Sequence, residues 1–259
     1  MWTTIAGSRS SPEARGAAPG TGRWRGAATL APMELVLVRH AQPEWNRGRA
    51  AQVDPRLTEL GQVQAEQLAA CMAGERFDEV LVSTARRARR TAAPVVEAVD
   101  ALAVTERAWM HEIHMPASWQ GSPAEEVGRA MATARDRSRE EWWEGMPGGE
   151  SFHDFHARVT LGLTNELAEH GVVRDHELLW DVPDAAAARR LLLVAHAGTN
   201  SVILGHLLGL SPEPWEWERF SSAHASITVL RTARIASRHI FSLERFSDVA
   251  HLERVSVTR

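Results

Sequence analysis

The chain has 259 residues, 44% of them apolar, enough to fill a sizeable core, and its 29 basic and 33 acidic side chains leave a formal charge of −4. Such a surface carries no overall basic field to gather nucleic acid, so any anion site must be local. Every basic residue is arginine, which excludes a Schiff-base lysine and the lysine of a Walker phosphate loop; a phosphate site here must be built from arginine.

Residues 1–32 are rich in Gly, Ala, Ser, Pro and Arg and show neither helical nor strand periodicity, which predicts a disordered extension ahead of a single domain over 33–259. Their Arg-rich, acid-poor character is like that of a transit peptide, but there is no apolar segment of the kind secretion requires. Met33, directly before the first strand, is the simpler start. Glu34–Val38 (ELVLV) reads as a buried strand that runs into Arg39 and His40. In LTELGQVQAEQLAACM the spacing of Leu60, Val63, Leu68, Cys71 and Met72 predicts a helix with that stripe inward and Cys71 in or near the core. Glu79–Val82 is a second strand. The segment ARRARRTAAPVVEAV follows as a helix that Pro94 is expected to kink or shorten.

The charged stretch Arg135–Trp143 predicts a solvated helical face. Phe152, Phe155, Val159, Leu163 and Leu167 recur at helical spacing between Ser151 and His170. Gly171–Arg190, punctuated by acids, reads as a surface excursion. LLLVAHAGTNSVILGHLLGL is too interrupted by His196, Asn200 and His206 for a membrane span and reads as strand, turn at Gly-Thr-Asn, and helix. SITVL and HIFSLERF are later strands. This alternation predicts an α/β fold, a three-layer sandwich with a mainly parallel central sheet flanked by helices. The single cysteine can form neither an internal disulfide nor a thiolate cluster, so a reducing, cytoplasmic setting is expected.

Three apolar strands end in VLVRH, VLVSTARRARR and LLLVAHAG. Ligands of parallel sheets bind outside the strands' carboxyl ends, so these endings converge on one pocket holding Arg39, His40, an arginine from 86 to 90, and His196. Guanidinium forks match phosphate oxygens, and a neutral imidazole is a competent nucleophile near neutral pH. A leaving alkoxide would still need a proton from an acid opposite the nucleophile.

The chain resembles the histidine phosphatase superfamily, in its phosphoglycerate mutase-like branch, from Met33 to about Leu252. VRHAQPEWN resembles the family's Arg-His-Gly signature with its downstream Trp-Asn, and LTELGQVQAEQLA the helix that follows. STARRARRTA, PGGES and VAHAG resemble three further motifs in the family's order. The resemblance implies a phosphomonoesterase that hydrolyses a small phosphorylated metabolite through a phosphohistidine on His40, without metal or cofactor. Arg39 and Arg87 then bind phosphate, with Asn46 and the Ala197 backbone beside it, and His196 stabilises charge. WMHEIHMPASWQG places Glu112 as proton donor, with Glu44 and Asp54 as rival carboxylates; His111 and His114 beside it are expected at the surface or against substrate. Ala41, where the family usually has Gly, is expected to narrow the pocket, and Gln42-Pro43 replaces a common polar contact.

The alternatives are phosphoglycerate mutase-type transfer, against which the missing Phe-Thr-Gly-Trp segment counts, and a non-catalytic phosphate-binding module. Neither a nucleic-acid nor a membrane partner is expected, and a homodimer is left open.

Overall fold

Strand β1 (Glu34–Arg39) is apolar on both faces because it feeds two cores. Leu35 and Leu37 enter a cluster with Phe152, Phe155, Leu163 and Ile203, while Val36 and Val38 enter a second with Leu68, Met72, Val82 and Val95. In this computed structural model, which describes residues 31–176 and 178–259, β1 lies at the centre of an eight-stranded sheet. Of the disorder expected over residues 1–32, positions 1–30 fall outside the described residues, while Ala31 O accepts from Ala188 N at 2.7 Å.

On one side of β1 lie β6 (Arg190–Ala195), β2 (Glu79–Ser83) and β3 (Val104–Arg107), all parallel to it. On the other lie β7 (Ile227–Ile235), β8 (Arg238–Asp248), β5 (Trp180–Asp181) and β4 (Val173–Arg174), each antiparallel to its neighbour. The sheet is therefore mixed: its parallel half has helical crossovers, and its antiparallel half begins with a hairpin. Helices α1 (Glu59–Met72) and α2 (Arg86–Ala98) cover the face that receives Val36 and Val38. Helices α5 (Phe152–Glu169) and α6 (Ala197–Leu207) cover the other. All five apolar positions expected on α5 are buried. At about 1.5–3 kcal/mol for each fully buried side chain of this size, that stripe is enough to dock the helix. The short helices α3 (Ala124–Ala134), α4 (Arg139–Trp143) and α7 (Glu216–Arg219) contribute residues to the pocket described below.

Several local expectations are corrected. The inward face of α1 is Gly61, Gln64, Ala65, Leu68, Ala69 and Met72, whereas Val63 and Cys71 are exposed. An apolar count could not find Gln64, which is buried because both ends of its amide are satisfied. Its Oε1 accepts from Gln42 N at 2.8 Å, and its Nε2 donates to Ser256 O at 2.6 Å and Thr258 Oγ1 at 3.0 Å. Helix α2 runs through Pro94 to Ala98 without ending there. The Gly-Thr-Asn of residues 198–200 is the first turn of α6 rather than a connecting turn.

Arg135–Trp143 is not one solvated face. A turn gives way to the short helix α4, started by a Ser138–Glu141 capping box, and Trp142 and Trp143 are partly buried. Nor is 171–190 only an excursion, since it supplies the last two strands at the antiparallel edge of the sheet and buries Trp180 against Phe241, ring centroids 5.4 Å apart. Among the described residues no helix is long and apolar enough to cross a membrane.

Candidate active site

Register brings the two histidines together. Strands β1 and β6 pair with Arg39 opposite Ala195, so His40 and His196 each follow the last paired residue. His40 N donates to Ala195 O at 2.9 Å, and the two imidazoles stand 5.1 Å apart, edge to face. One strand over, β2 ends at Ser83, whose Oγ lies 2.8 Å from His196 Nε2. The helix that follows carries Arg87 to the same point, its Nε donating to His40 Nε2 at 3.2 Å.

These contacts assign the His40 tautomer. A guanidinium can only donate, so Nε2 holds a lone pair and Nδ1 carries the proton, which it donates to Ala41 O at 2.8 Å. Burial, reinforced by the Arg87 and Arg39 charges, holds the His40 pKa well below 6.5; the same causes act on His196, burial again the largest. Both rings are therefore neutral at neutral pH.

Arg39 is anchored from the other side. One terminal nitrogen donates to Ser222 O, and the other lies 3.0 Å from His224 Nε2, which must accept. His224 Nδ1 then donates to Thr258 Oγ1 at 2.9 Å. Burial beside Arg39 depresses the His224 pKa to about 3, and burial lowers Arg39 to about 10, leaving it charged at neutral pH. Three buried polar atoms of this cluster have no hydrogen-bond partner: Arg39 Nε, Arg87 Nη1 and His196 Nδ1. Arg87 Nη1 has only the Asp54 carboxylate, 3.6 Å away.

Glu112 completes the arrangement from a distant segment. Its carboxylate accepts from Gly198 N at 2.9 Å and Thr199 N at 3.2 Å at the start of α6, and from Ile113 N at 3.2 Å. A Cβ at position 198 would come closer to that carboxylate than van der Waals contact allows, so any other residue there would displace it. Arg158 clamps the segment by donating to the Trp109 and His111 carbonyls, both at 2.9 Å, while pairing with Glu150 at 2.7 Å.

Arg39, His40, Arg87, Glu112 and Ala197 all line one pocket of about 850 Å³, with the fully buried His196 directly behind His40. Neither rival carboxylate is in the lining: Glu44 pairs with Arg56 at 2.6 Å, and Asp54 accepts from Arg86 N at 2.9 Å and stands behind Arg87 at 3.6 Å. Asn46 is exposed on a two-residue strand and is not in the lining, where Trp45 stands instead with the Arg87 guanidinium over its ring at 5.0 Å. The Ala41 methyl does not narrow the pocket; it packs into a small core with Leu57, Ala65 and Ala225. Gln42 is engaged by Thr58, Oγ1 to Oε1 at 2.8 Å.

His114 reaches the lining and pairs with Glu150 at 3.0 Å, stacked on His111. Sequence reasoning missed Ser222, His224 and Thr258, which carry no motif of their own and act only through folded neighbours, and it gave no role to Ser83, although Ser83 opens the STARRARRTA motif. The three metal-type ligands found together among the described residues, Glu79, Glu166 and His170, lie at the other end of β2, where Arg107 already pairs with Glu166 at 2.6 Å.

Comparison with known proteins agrees with this geometry. The family model of the histidine phosphatase superfamily, branch 1, matches residues 35–239. A glucosyl-3-phosphoglycerate phosphatase of Mycolicibacterium vanbaalenii is 32% identical over 187 residues, covering 70% of this chain and 76% of its own length. A probable phosphoglycerate mutase of Photorhabdus laumondii is 27% identical over 225 residues, covering 85% and 95%. The solved structure of a mycobacterial glucosyl-3-phosphoglycerate phosphatase superposes with a TM-score of 0.62 at 27% identity, covering 83% of this chain and 99% of the other. With four-fifths of its length matched and its strand-end histidines and arginines gathered in one pocket, the chain belongs to the histidine phosphatase superfamily, branch 1.

Proposed function

We propose that the protein is a phosphomonoesterase working through a phosphohistidine on His40. The observation that carries this reading is the buried cluster at His40, where Arg87 Nε meets the Nε2 lone pair at 3.2 Å and where Arg39 Nε, Arg87 Nη1 and His196 Nδ1 have no hydrogen-bond partner. Such groups are costly to bury without partners, and a phosphoryl group seated there would supply acceptors to the arginines at once.

In the first step His40 Nε2 attacks phosphorus, an N–P bond forms, and the bond to the leaving oxygen breaks. Glu112, entering as the carboxylic acid, gives its proton to that oxygen. In the second step the Glu112 carboxylate takes a proton from water, the hydroxyl attacks phosphorus, and the N–P bond breaks to release inorganic phosphate and restore neutral His40. Arg39 and Arg87 hold the equatorial oxygens throughout, and His196 adds a donor to them. The Ala197 backbone, at the start of α6, faces the same pocket.

Rapid alkaline quenching during turnover of an aryl phosphate tests the reading. An acid-labile phosphate is expected on the peptide containing His40, absent in His40→Ala together with turnover; label on the His196 peptide alone would reverse the roles. The reading includes a small phosphorylated substrate and a cytoplasmic setting, which suits one exposed thiol. It also includes a homodimer joined at the edge strand β3, where Val104 and the preceding Leu102 are exposed; a monomeric mass by sedimentation would remove that part.

A further inference from the structure

The pocket is far larger than a phosphate requires. Beyond the phosphate-handling residues its walls are mostly apolar, with Trp45, Trp142, Trp215, Trp217, Met131 and Met146 facing the same space. Trp142 meets Trp215 edge-on at 6.1 Å and Trp217 at 6.2 Å, and Trp217 packs on Phe152 at 5.9 Å.

The wall is held in shape from behind. Glu216, between the two tryptophans in sequence, is buried and accepts from Glu213 N at 2.8 Å and Arg219 Nη1 at 3.2 Å. Arg139 pairs with Glu213 at 2.8 Å, which ties α4 to the loop before α7, and Arg135 reaches Glu218 at 3.7 Å. Several charged groups near the apolar walls are engaged with protein partners, His114 with Glu150, Arg135 with Glu218, and Arg137 with the Gly145 and Glu141 carbonyls, whereas Ser222 Oγ, also in the lining, has no partner. Arg259, exposed at the rim, is the remaining cation of the lining.

A sugar acid would bring several hydroxyls and a carboxylate against indole faces and thioethers, and would leave them poorly partnered. A flat or chain-like apolar group would exchange its water for those same surfaces at a gain. Resting on the phosphatase reading above, we infer that the substrate is a phosphate monoester of a large apolar alcohol, seated among Trp45, Trp142, Trp215 and Trp217. This departs from the polar phosphoglycerate esters in the names of the relatives.

The test uses two substrate pairs on the full chain. Phenyl and 2-naphthyl phosphate have leaving groups of similar acidity and differ chiefly in apolar area; glycerol 3-phosphate and octyl phosphate make the alkyl pair. A rise in kcat/KM of about tenfold or more, carried by KM, is expected toward the larger apolar member. A rise in the naphthyl pair alone would assign an aromatic alcohol, and in the octyl pair alone a lipid-like one. No rise in either pair, or a preference for 3-phosphoglycerate over all four, would overturn the inference.

Trp142→Ala and Trp217→Ala should each bring the naphthyl-to-phenyl ratio down toward one; should either fail to fold, the ratios of the unaltered protein still decide. Turnover that His40→Ala abolishes, but with no apolar preference, sinks this inference and leaves the phosphatase reading standing. Absence of turnover on every monoester sinks both.

Discussion

Protonation of His40 would add a third cation beside Arg39 and Arg87 in a place largely withdrawn from water, and this is why the ring stays neutral and its Nε2 keeps a lone pair, which accepts from Arg87 Nε. The proton needed by the leaving group must therefore come from elsewhere, and of the three carboxylates considered only Glu112 lines the pocket. Glu112→Gln keeps shape and removes the proton. Its kcat is expected to fall by about 10²–10⁴-fold on alkyl phosphates and much less on nitrophenyl phosphate, whose leaving group needs little protonation. Steady-state rates on the two substrates check this; equal losses on both would remove Glu112 from the acid role.

Among the elements, α6 combines two tasks that its sequence does not separate. Its apolar body fills the core under β1, while its first turn holds the Glu112 carboxylate on the Gly198 and Thr199 amides. Gly198→Ala would add a methyl whose three nearest neighbours all belong to that carboxylate. The variant is expected to keep its far-ultraviolet circular dichroism and its ability to form the His40 phosphate from nitrophenyl phosphate, while alkyl phosphate turnover falls about 10–100-fold. Loss of helical signal would show that the glycine serves packing instead.

The elements also show how far pattern reading reaches. The α5 stripe was legible because five apolar residues at helical spacing meet one continuous core. On α1 the same method placed Leu68 and Met72 correctly but turned the stripe toward the exposed Val63 and Cys71, because it discounted Gln64. That amide links the loop after β1 to the chain end through Ser256 and Thr258, partners that no local window contains.

Over the whole molecule, buried neutral histidines make stability depend on pH with a definite sign. Those at positions 40 and 196 lie well below 6.5 when folded, those at 206 and 224 at about 4 and about 3, with burial the first cause in each case. As pH falls below about 6.5 the unfolded chain takes up protons that the folded chain refuses, so folding stability declines from there toward pH 3. The slope is about 1.4 kcal/mol per pH unit for each proton of difference. Above about pH 7.5 these groups contribute no slope. Urea midpoints measured from pH 8 to pH 5 are expected to be level at first and then to fall; a level midpoint across the whole range would contradict the burial of neutral rings.

By itself the sequence determined that two histidines and a run of arginines stand at strand ends, because a strand end and the helix after it are local features. Arg39, His40, His196 and an arginine from 86 to 90 needed only the rule that parallel strands present their carboxyl ends on one side, and the family resemblance singled out Arg87. The resemblance named Glu112 over Glu44 and Asp54, and tertiary structure put it alone of the three in the lining; tertiary structure alone decided that Trp45 and not Asn46 stands in the pocket and that His224 braces Arg39. It alone assembled the tryptophan wall, from segments around residues 45, 142 and 215–217. Those choices join residues far apart in the chain, and such contacts arise from packing across the sheet's edge, which no spacing along the sequence encodes.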